Sequence, residues 1–254
     1  MSMELYDTNA WVGHWPFAPV RHENVAALRQ HWRTAGVAGG LVSSLEALWL
    51  LNPSAVNADL IAATQRIAGV DPLPILNLLD PAWEEQLAVL LNSKAVKAVR
   101  LAPGYGGWKL NDKRAVVAAT KIVAQGRKVV LTARLVDERH EHPSLNVKPV
   151  PAKTIARWIE RVPTMTPLVQ GLTRWELEEL AKSTDRFLTD MSFMEWTDSI
   201  GVTSAAVDPS RIVLGSLTPL HVLAAHVNKI TQSPATMAKR RAIATGNALK
   251  FLGE

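Results

Sequence analysis

The residues most able to do chemistry crowd one short stretch of this 254-residue chain, Arg134-Leu135-Val136-Asp137-Glu138-Arg139-His140-Glu141-His142-Pro143. Histidine titrates near neutral pH, and a nearby carboxylate can orient and charge it, so Asp137 and His140 are candidates for general acid–base catalysis. Arginine offers a planar fork that pairs bidentately with a carboxylate or phosphate. Arg134 and Arg139 are therefore candidate substrate-binding residues, and Arg100, expected on a neighbouring strand, could share a clamp with Arg134. A charged surface loop with internal ion pairs is the equally open reading. His140 and His142 could also hold zinc, but two histidines do not close a metal site. We therefore expect no metal or other cofactor, with zinc as the alternative.

Further candidates lie near other expected strand ends. Asp190 is a third catalytic candidate. Asn9, Trp11, His14, Tyr105, Gln170 and Glu195 join the three arginines as candidate substrate-binding residues. His14 could equally be a hydrogen-bonded structural residue, and Asp190 and Glu195 could simply pair with barrel arginines. The chain has nine tryptophans. Trp11, Trp15, Trp49, Trp108 and Trp196 fall near strand ends, where they could wall a ligand pocket or only pack. Trp32, Trp83 and Trp158 sit on helical stripes and read as core.

The elements that must position these residues alternate between short apolar runs and amphipathic stretches. Strands are predicted at 5–11, 41–45, 73–79, 95–102, 128–134, 167–170, 186–191 and 211–215. Val25, Leu28 and Trp32 share one face of a helix over 24–35, and Gly39-Gly40 reads as a break. Pro53 suits a helical first turn. Trp83, Leu87, Leu90 and Leu91 mark a third helix, and 113–124 a fourth. Ile155, Trp158 and Val162 mark another. Thr173 and Glu176 have capping-box spacing. The tail 235–252 reads as mostly helical. Parallel strands joined by right-handed crossovers follow. The whole chain, 1–254, is expected to be a single-domain α/β (β/α)8 TIM barrel, whose active sites lie at the C-terminal strand ends. Segment 137–151, polar and proline-rich, is the best candidate for a long functional loop there.

Hydrophobic residues make up 48% and charged residues 20%, as in a globular protein with a sizeable core. The absence of cysteine excludes disulfides, thiolate metal sites and a cysteine nucleophile. The net charge is +5, but only Lys239, Arg240 and Arg241 cluster, so a nucleic-acid partner is not expected. No apolar run is long enough for a membrane span, and the N-terminus lacks signal-peptide order, so a cytoplasmic protein is expected. The expected partner is a small-molecule ligand. Tryptophan-rich apolar surface would also suit a homodimer contact.

Asp7-Thr8-Asn9-Ala10-Trp11-Val12-Gly13 resembles the opening strand of the amidohydrolase superfamily, specifically its amidohydrolase-2 (amidohydrolase-related) group, where Asp-x-His-x-His-x-Gly is usual. Segment 208–219 is similar to the family's eighth strand, normally Gly-Ser-Asp-x-Pro. Segment 246–253 is similar to its last helix, and 96–105 to its fourth strand. The resemblance spans nearly the whole chain in order. It implies a distorted TIM barrel, hydrolysis or decarboxylation of a small molecule, and one or two divalent metals.

The family's ligand positions carry other residues here. Asn9 and Trp11 replace the first two histidines. Thr132 and Arg134 stand near the strand-five histidine position, Gln170 at strand six, and Leu217 at the aspartate. Tryptophan is only a donor, leucine has no ligand atom, and arginine repels a cation. The sequence thus implies a degenerate metal site. Three readings stay open: a hydrolase or decarboxylase for a small anionic substrate without the metal centre, a metal-dependent hydrolase with relocated ligands, and a non-catalytic binding barrel.

Overall fold

In the computed structural model, which describes residues 3–21, 23–139 and 141–254, the alternating pattern becomes a closed parallel barrel. Strand β1 (Leu5–Val12) pairs with β2 (Val37–Ser44), and β2 with β3 (Val70–Pro72). A short step at Leu73-Pro74 separates β3 from β4 (Ile75–Leu76), which continues the same stave. From β4 the ladder runs through β5 (Ala98–Leu101), β6 (Lys128–Thr132), β7 (Leu168–Gln170) and β8 (Leu188–Asp190) to β9 (Ile212–Val213). Every pairing is parallel. Single backbone bonds bridge the step, with Leu73 N donating to Val42 O at 2.7 Å and Arg100 N to Pro74 O at 2.9 Å. The barrel closes where Thr8 N donates to Leu214 O (2.9 Å) and Leu217 N to Asn9 O (2.7 Å).

Helices α1 (Val25–Thr34), α2 (Ser54–Gln65), α3 (Trp83–Asn92), α4 (Lys113–Ala124), α5 (Ala152–Glu160), α6 (Arg174–Ser183), α7 (Ser199–Ala206) and α8 (Leu223–Thr231) follow the staves in turn. The predicted apolar stripe of α1 is buried, and Asn24 caps it by accepting from Ala27 N. The predicted capping box of Thr173 and Glu176 opens α6. The tail forms α9 (Met237–Arg241), one π-helical turn (Ala242–Gly246) and α10 (Asn247–Leu252). None of these helices is long and apolar enough to cross a membrane.

Two expectations change. Gly39 and Gly40 lie inside β2 and do not break it. A Cβ on Gly40 would sit 2.1 Å from Asp7 O, so the bare backbone is what lets β1 approach. Helix α7 carries no apolar stripe: its buried face is Ser199, Ile200 and Thr203, with Thr203 Oγ1 donating to Ser199 O at 2.7 Å. Without that periodicity the helix was not legible.

The barrel interior is layered because inward side chains recur every two residues along each stave. The lowest layer takes one residue from each stave: Tyr6, Leu41, Leu73, Ala98, Val130, Leu168, Leu188 and Val213. Ala248 and Phe251 of α10 join it. Two residues further along the staves come Ser43, Arg100, Thr132, Gln170, Asp190 and Gly215, a polar layer shared with Asn9. Above that lies an apolar cap containing Trp11, Trp15, Leu45, Tyr105, Leu135, Phe193 and Leu217.

Gly40→Ala is expected to lower unfolding free energy by about 3 kcal/mol or more, because neither backbone at the contact can yield. Gly246→Ala meets no atom closer than 3.9 Å and should be neutral or stabilising by up to about 1 kcal/mol. Urea denaturation of both variants measures the contrast.

Candidate functional site

The polar layer is built around the Arg100 guanidinium, which is fully buried. Its Nη1 donates to Thr132 Oγ1 at 2.7 Å, and both terminal nitrogens lie 3.4 Å from Asn9 Oδ1. The guanidinium carbon sits 4.0 Å from the Trp11 ring centroid, a cation–π stack. Asn9 ties the layer together: its Oδ1 also accepts from Trp11 Nε1 (2.9 Å), and its Nδ2 donates to Asp190 Oδ2 (2.9 Å). Asp190 Oδ1 accepts from Gly171 N (3.2 Å) and Ser192 Oγ (3.0 Å). Gly215 makes room, since a Cβ there would meet Asp190 Oδ2 at 2.4 Å. Gln170 Nε2 donates to Thr8 O (2.7 Å). Asp7 lies behind, accepting from Ser216 N and Oγ and from Trp32 Nε1.

Burial sets the electrostatics of this layer. It pulls Arg100 down to about 9, against the attraction of Asp190 and Asp7, so the guanidinium stays charged at neutral pH. Burial raises Asp190 and Asp7, and their hydrogen bonds from Asn9, Gly171 and Ser192, and from Ser216, Asn9 and Trp32, oppose that rise. A fixed internal cation and the Asp190 carboxyl group thus share the barrel axis, with the buried Asp7 behind them.

The cap seals this layer. Trp15, Phe17 and Trp49 meet pairwise at 5.3 to 5.5 Å between ring centroids. Trp49 meets Tyr105 edge-on at 6.1 Å. Leu217, at a φ of +57°, is completely buried beneath them. Of the strand-end tryptophans, Trp11, Trp15 and Trp108 pack in the interior, and Trp49 leans into the cap.

A separate cavity of about 400 Å³ opens beside the axis, at the ends of β6, β7 and β8. Its walls include Arg134, Asp137, Arg139, Arg174, Glu195 and Trp196. Arg134 is saturated within the protein. Its Nε and Nη2 donate to Glu138, Nη1 and Nη2 to Glu176 at 2.6 and 2.8 Å, and Nη1 also to Gly171 O at 2.9 Å. Burial opposes the charge, but the Glu176 and Glu138 carboxylates outweigh it and hold Arg134 above its ordinary value. Arg139 is 72% exposed, bonds Asp137 through Nε and Nη2, and lies 3.8 Å from Glu195.

Behind the cavity wall, Lys229 of α8 donates to Met191 O (2.8 Å), so it pins the segment that carries Phe193, Glu195 and Trp196. Its Nζ lies 3.3 Å from His226 Nδ1. The His226 ring stacks on His221 at 5.4 Å, and His221 meets Phe193 edge-on at 5.2 Å. Burial lowers Lys229 to about 8, with Asp190 and Glu195 opposing. Burial, Lys229 and His221 push His226 down to about 2.

The sequence candidates therefore divide into two groups. Asn9, Trp11, Arg100, Gln170 and Asp190 converge in the sealed axial layer, while Arg134, Asp137, Arg139 and Glu195 line the side cavity. The shared clamp expected of Arg100 and Arg134 is not formed, because Arg100 is held under Trp11 and every N–H of Arg134 already has a protein acceptor. Tyr105 is buried, its hydroxyl accepting from Leu135 N at 2.9 Å, and burial raises it to about 12. His14 is exposed, with its backbone N–H on Glu46. His140 lies outside the described residues. Sequence reasoning missed Arg174, Trp175 and the His221–His226–Lys229 group. The three-residue spacing of His226 and Lys229, which puts both on one helix face, was the available signal.

Where the resemblance would place metal ligands, the axis offers an amide oxygen from Asn9, an amide from Gln170, an indole, a leucine and the carboxylate of Asp190, with a guanidinium among them. Among the described residues no group of three or more histidines and carboxylates is arranged to hold a metal. No family model and no curated protein sequence matches the chain. Solved structures do match along its full length. The 5-carboxyvanillate decarboxylase of Sphingomonas paucimobilis superposes with a TM-score of 0.78 at 12% identity, over 99% of each chain. The dihydroxybenzoic acid decarboxylase of Polaromonas sp. JS666, with bound manganese and an inhibitor, gives 0.79 at 11% identity, over 99% of this chain and 97% of that one. The 2,6-dihydroxybenzoate decarboxylase of Rhizobium gives 0.75 at 12%, over 99% and 98%. The fold is therefore a (β/α)8 barrel, shared with these decarboxylases over nearly the whole chain.

Arg100→Met is expected to cost about 3–5 kcal/mol, because it strands Asn9, Thr132 and the buried carboxylates without their cation. Chemical denaturation reads that loss. His226 should give a measurable acid dependence. Above its unfolded value of 6.5 both states are neutral, and below it only the unfolded chain takes the proton, so stability falls as pH drops toward 2. Between pH 7.5 and 5.0 the wild type should lose about 2 kcal/mol more than His226→Gln.

Proposed function

We propose that the protein is an enzyme of the hydrolase or decarboxylase class, acting on a small anionic organic substrate in the side cavity, without a divalent metal at the barrel axis. The carrying observation is the Arg100 guanidinium, which stacks on Trp11 and bonds Asn9 where the resemblance would seat a cation. A guanidinium cannot give up its charge readily, so a metal beside it would face direct repulsion. The donor set does not fit: zinc takes imidazole, thiolate or carboxylate ligands, and Trp11 and Leu217 provide none.

The same closure moves the reaction sideways. Asp190 is fully buried in the sealed layer, away from the side cavity, so it fixes the layer instead of exchanging protons with a substrate. Of the carboxyl groups that border the cavity, Glu138 is engaged by Arg134, and Asp137 and Glu195 are the ones placed to hold or move a proton there. The decarboxylases of like fold act on anionic aromatic acids by their names, and the cavity's arginines suit that class. The sealed aromatic cap favours a second reading, a barrel that binds such a molecule without converting it.

A screen of small organic acids and esters with chelator present is expected to reveal turnover that manganese does not increase and that Asp137→Asn lowers about 100-fold. Turnover that appears only on adding manganese would contradict the proposal. Saturable binding without turnover of any acid or ester would select the second reading.

A further inference from the structure

We infer that Arg174, in cation–π contact with Trp175 and Trp196, is the carboxylate anchor of the side cavity, and that its ligand is a flat monocarboxylic acid. This rests on the reading that the side cavity is the substrate site. Arg134 has spent all its donors, every N–H being bonded to Glu138, Glu176 or Gly171 O. Arg139 is turned with its Nε–Nη2 edge onto Asp137 and its side chain largely in solvent. Arg174 differs: its Nε donates to Glu178 at 2.7 Å, and its two terminal nitrogens have no hydrogen-bond acceptor among the described residues.

The fork is also held in place. The Arg174 guanidinium carbon lies 5.1 Å from the Trp175 ring and 5.3 Å from the Trp196 ring. Together with the Glu178 bond, these contacts limit its rotamers and leave the Nη1–Nη2 end to meet two carboxylate oxygens side by side. Trp175 and Trp196 are 67% and 46% exposed, although large aromatic surfaces usually seek cover. Both border the same cavity, where a flat ring can stack on them while its carboxylate reaches Arg174.

Charge limits the ligand further. Asp137, Glu138 and Glu195 stand in the same wall as the three arginines, so the wall is balanced in formal charge. A second negative charge on the ligand would face those carboxylates, which argues for one carboxylate and against a polyphosphate. A volume near 400 Å³ is within the range of small-ligand pockets.

The test is a titration of the full chain with benzoate, benzamide and cyclohexanecarboxylate, followed by tryptophan fluorescence and calorimetry. Benzoate is expected to bind saturably, and benzamide and cyclohexanecarboxylate at least about tenfold more weakly, because one lacks the charge and the other the flat face. Arg174→Gln should weaken benzoate about tenfold or more, Arg174→Lys less so, and Trp196→Phe should remove most of the fluorescence change. Lys153→Gln, at an exposed position of α5, should bind as wild type does. Circular dichroism checks that each variant is folded. Benzoate binding that survives Arg174→Gln unchanged would overturn the anchor while leaving the cavity as the substrate site. If no organic acid binds or is turned over, the anchor and the site reading both fail.

Discussion

A guanidinium buried on the axis of a closed barrel constrains everything around it. Arg100 has no route to water, so its charge is balanced from within by Asp190 and Asp7, by the Asn9 and Thr132 oxygens and by the face of Trp11. Each partner is fixed in turn. Asn9 holds Trp11 and Asp190 simultaneously, Asp190 holds Gly171 and Ser192, and Asp7 holds the Ser216 turn. These bonds connect β1, β5, β6, β7, β8 and the segment after β9. A buried polar network of this kind specifies one arrangement because any slip leaves a charge unpaired.

The same network explains where a ligand can and cannot go. With the axis filled by Trp11, Arg100 and Leu217 and roofed by aromatic rings, depth is lost at the mouth and a side opening remains beyond β6, β7 and β8. Arg134 is an outer buttress of that opening: it joins the β6 loop to the capping box of α6 through Glu138 and Glu176. Lys229 plays the corresponding part on the far wall by gripping the backbone after β8. On the proposed reading, the barrel keeps the rule that chemistry gathers at the C-terminal strand ends, but at the rim instead of the centre.

Much of the frame was legible from residue patterns. Alternation located the staves, the stripe Val25–Leu28–Trp32 located α1, and Thr173 with Glu176 marked the start of α6. The resemblance at Asp7–Gly13 anticipated the barrel type and pointed to Asn9 and Trp11 as the places to inspect. Strand ends were less legible because several ladders are two or three residues long, and the backbone leaves the sheet while the side chains stay apolar. An arginine within the apolar run of β5 was the visible sign of the polar layer. Its partners were not, since Asn9 and Asp190 approach from far along the chain and no local spacing encodes that contact. Arg174 and Trp175 stayed hidden for a different reason: in the first turn of a capped helix they look like ordinary surface.

The central claim is that the axial cation belongs to the protein. Diffraction from crystals soaked in manganese, collected for anomalous scattering, tests it most directly. The account predicts no anomalous peak among Asn9, Gln170 and Asp190, with Arg100 lying flat on Trp11. An ion there bonded to three or more protein atoms, with Arg100 swung away, would contradict it.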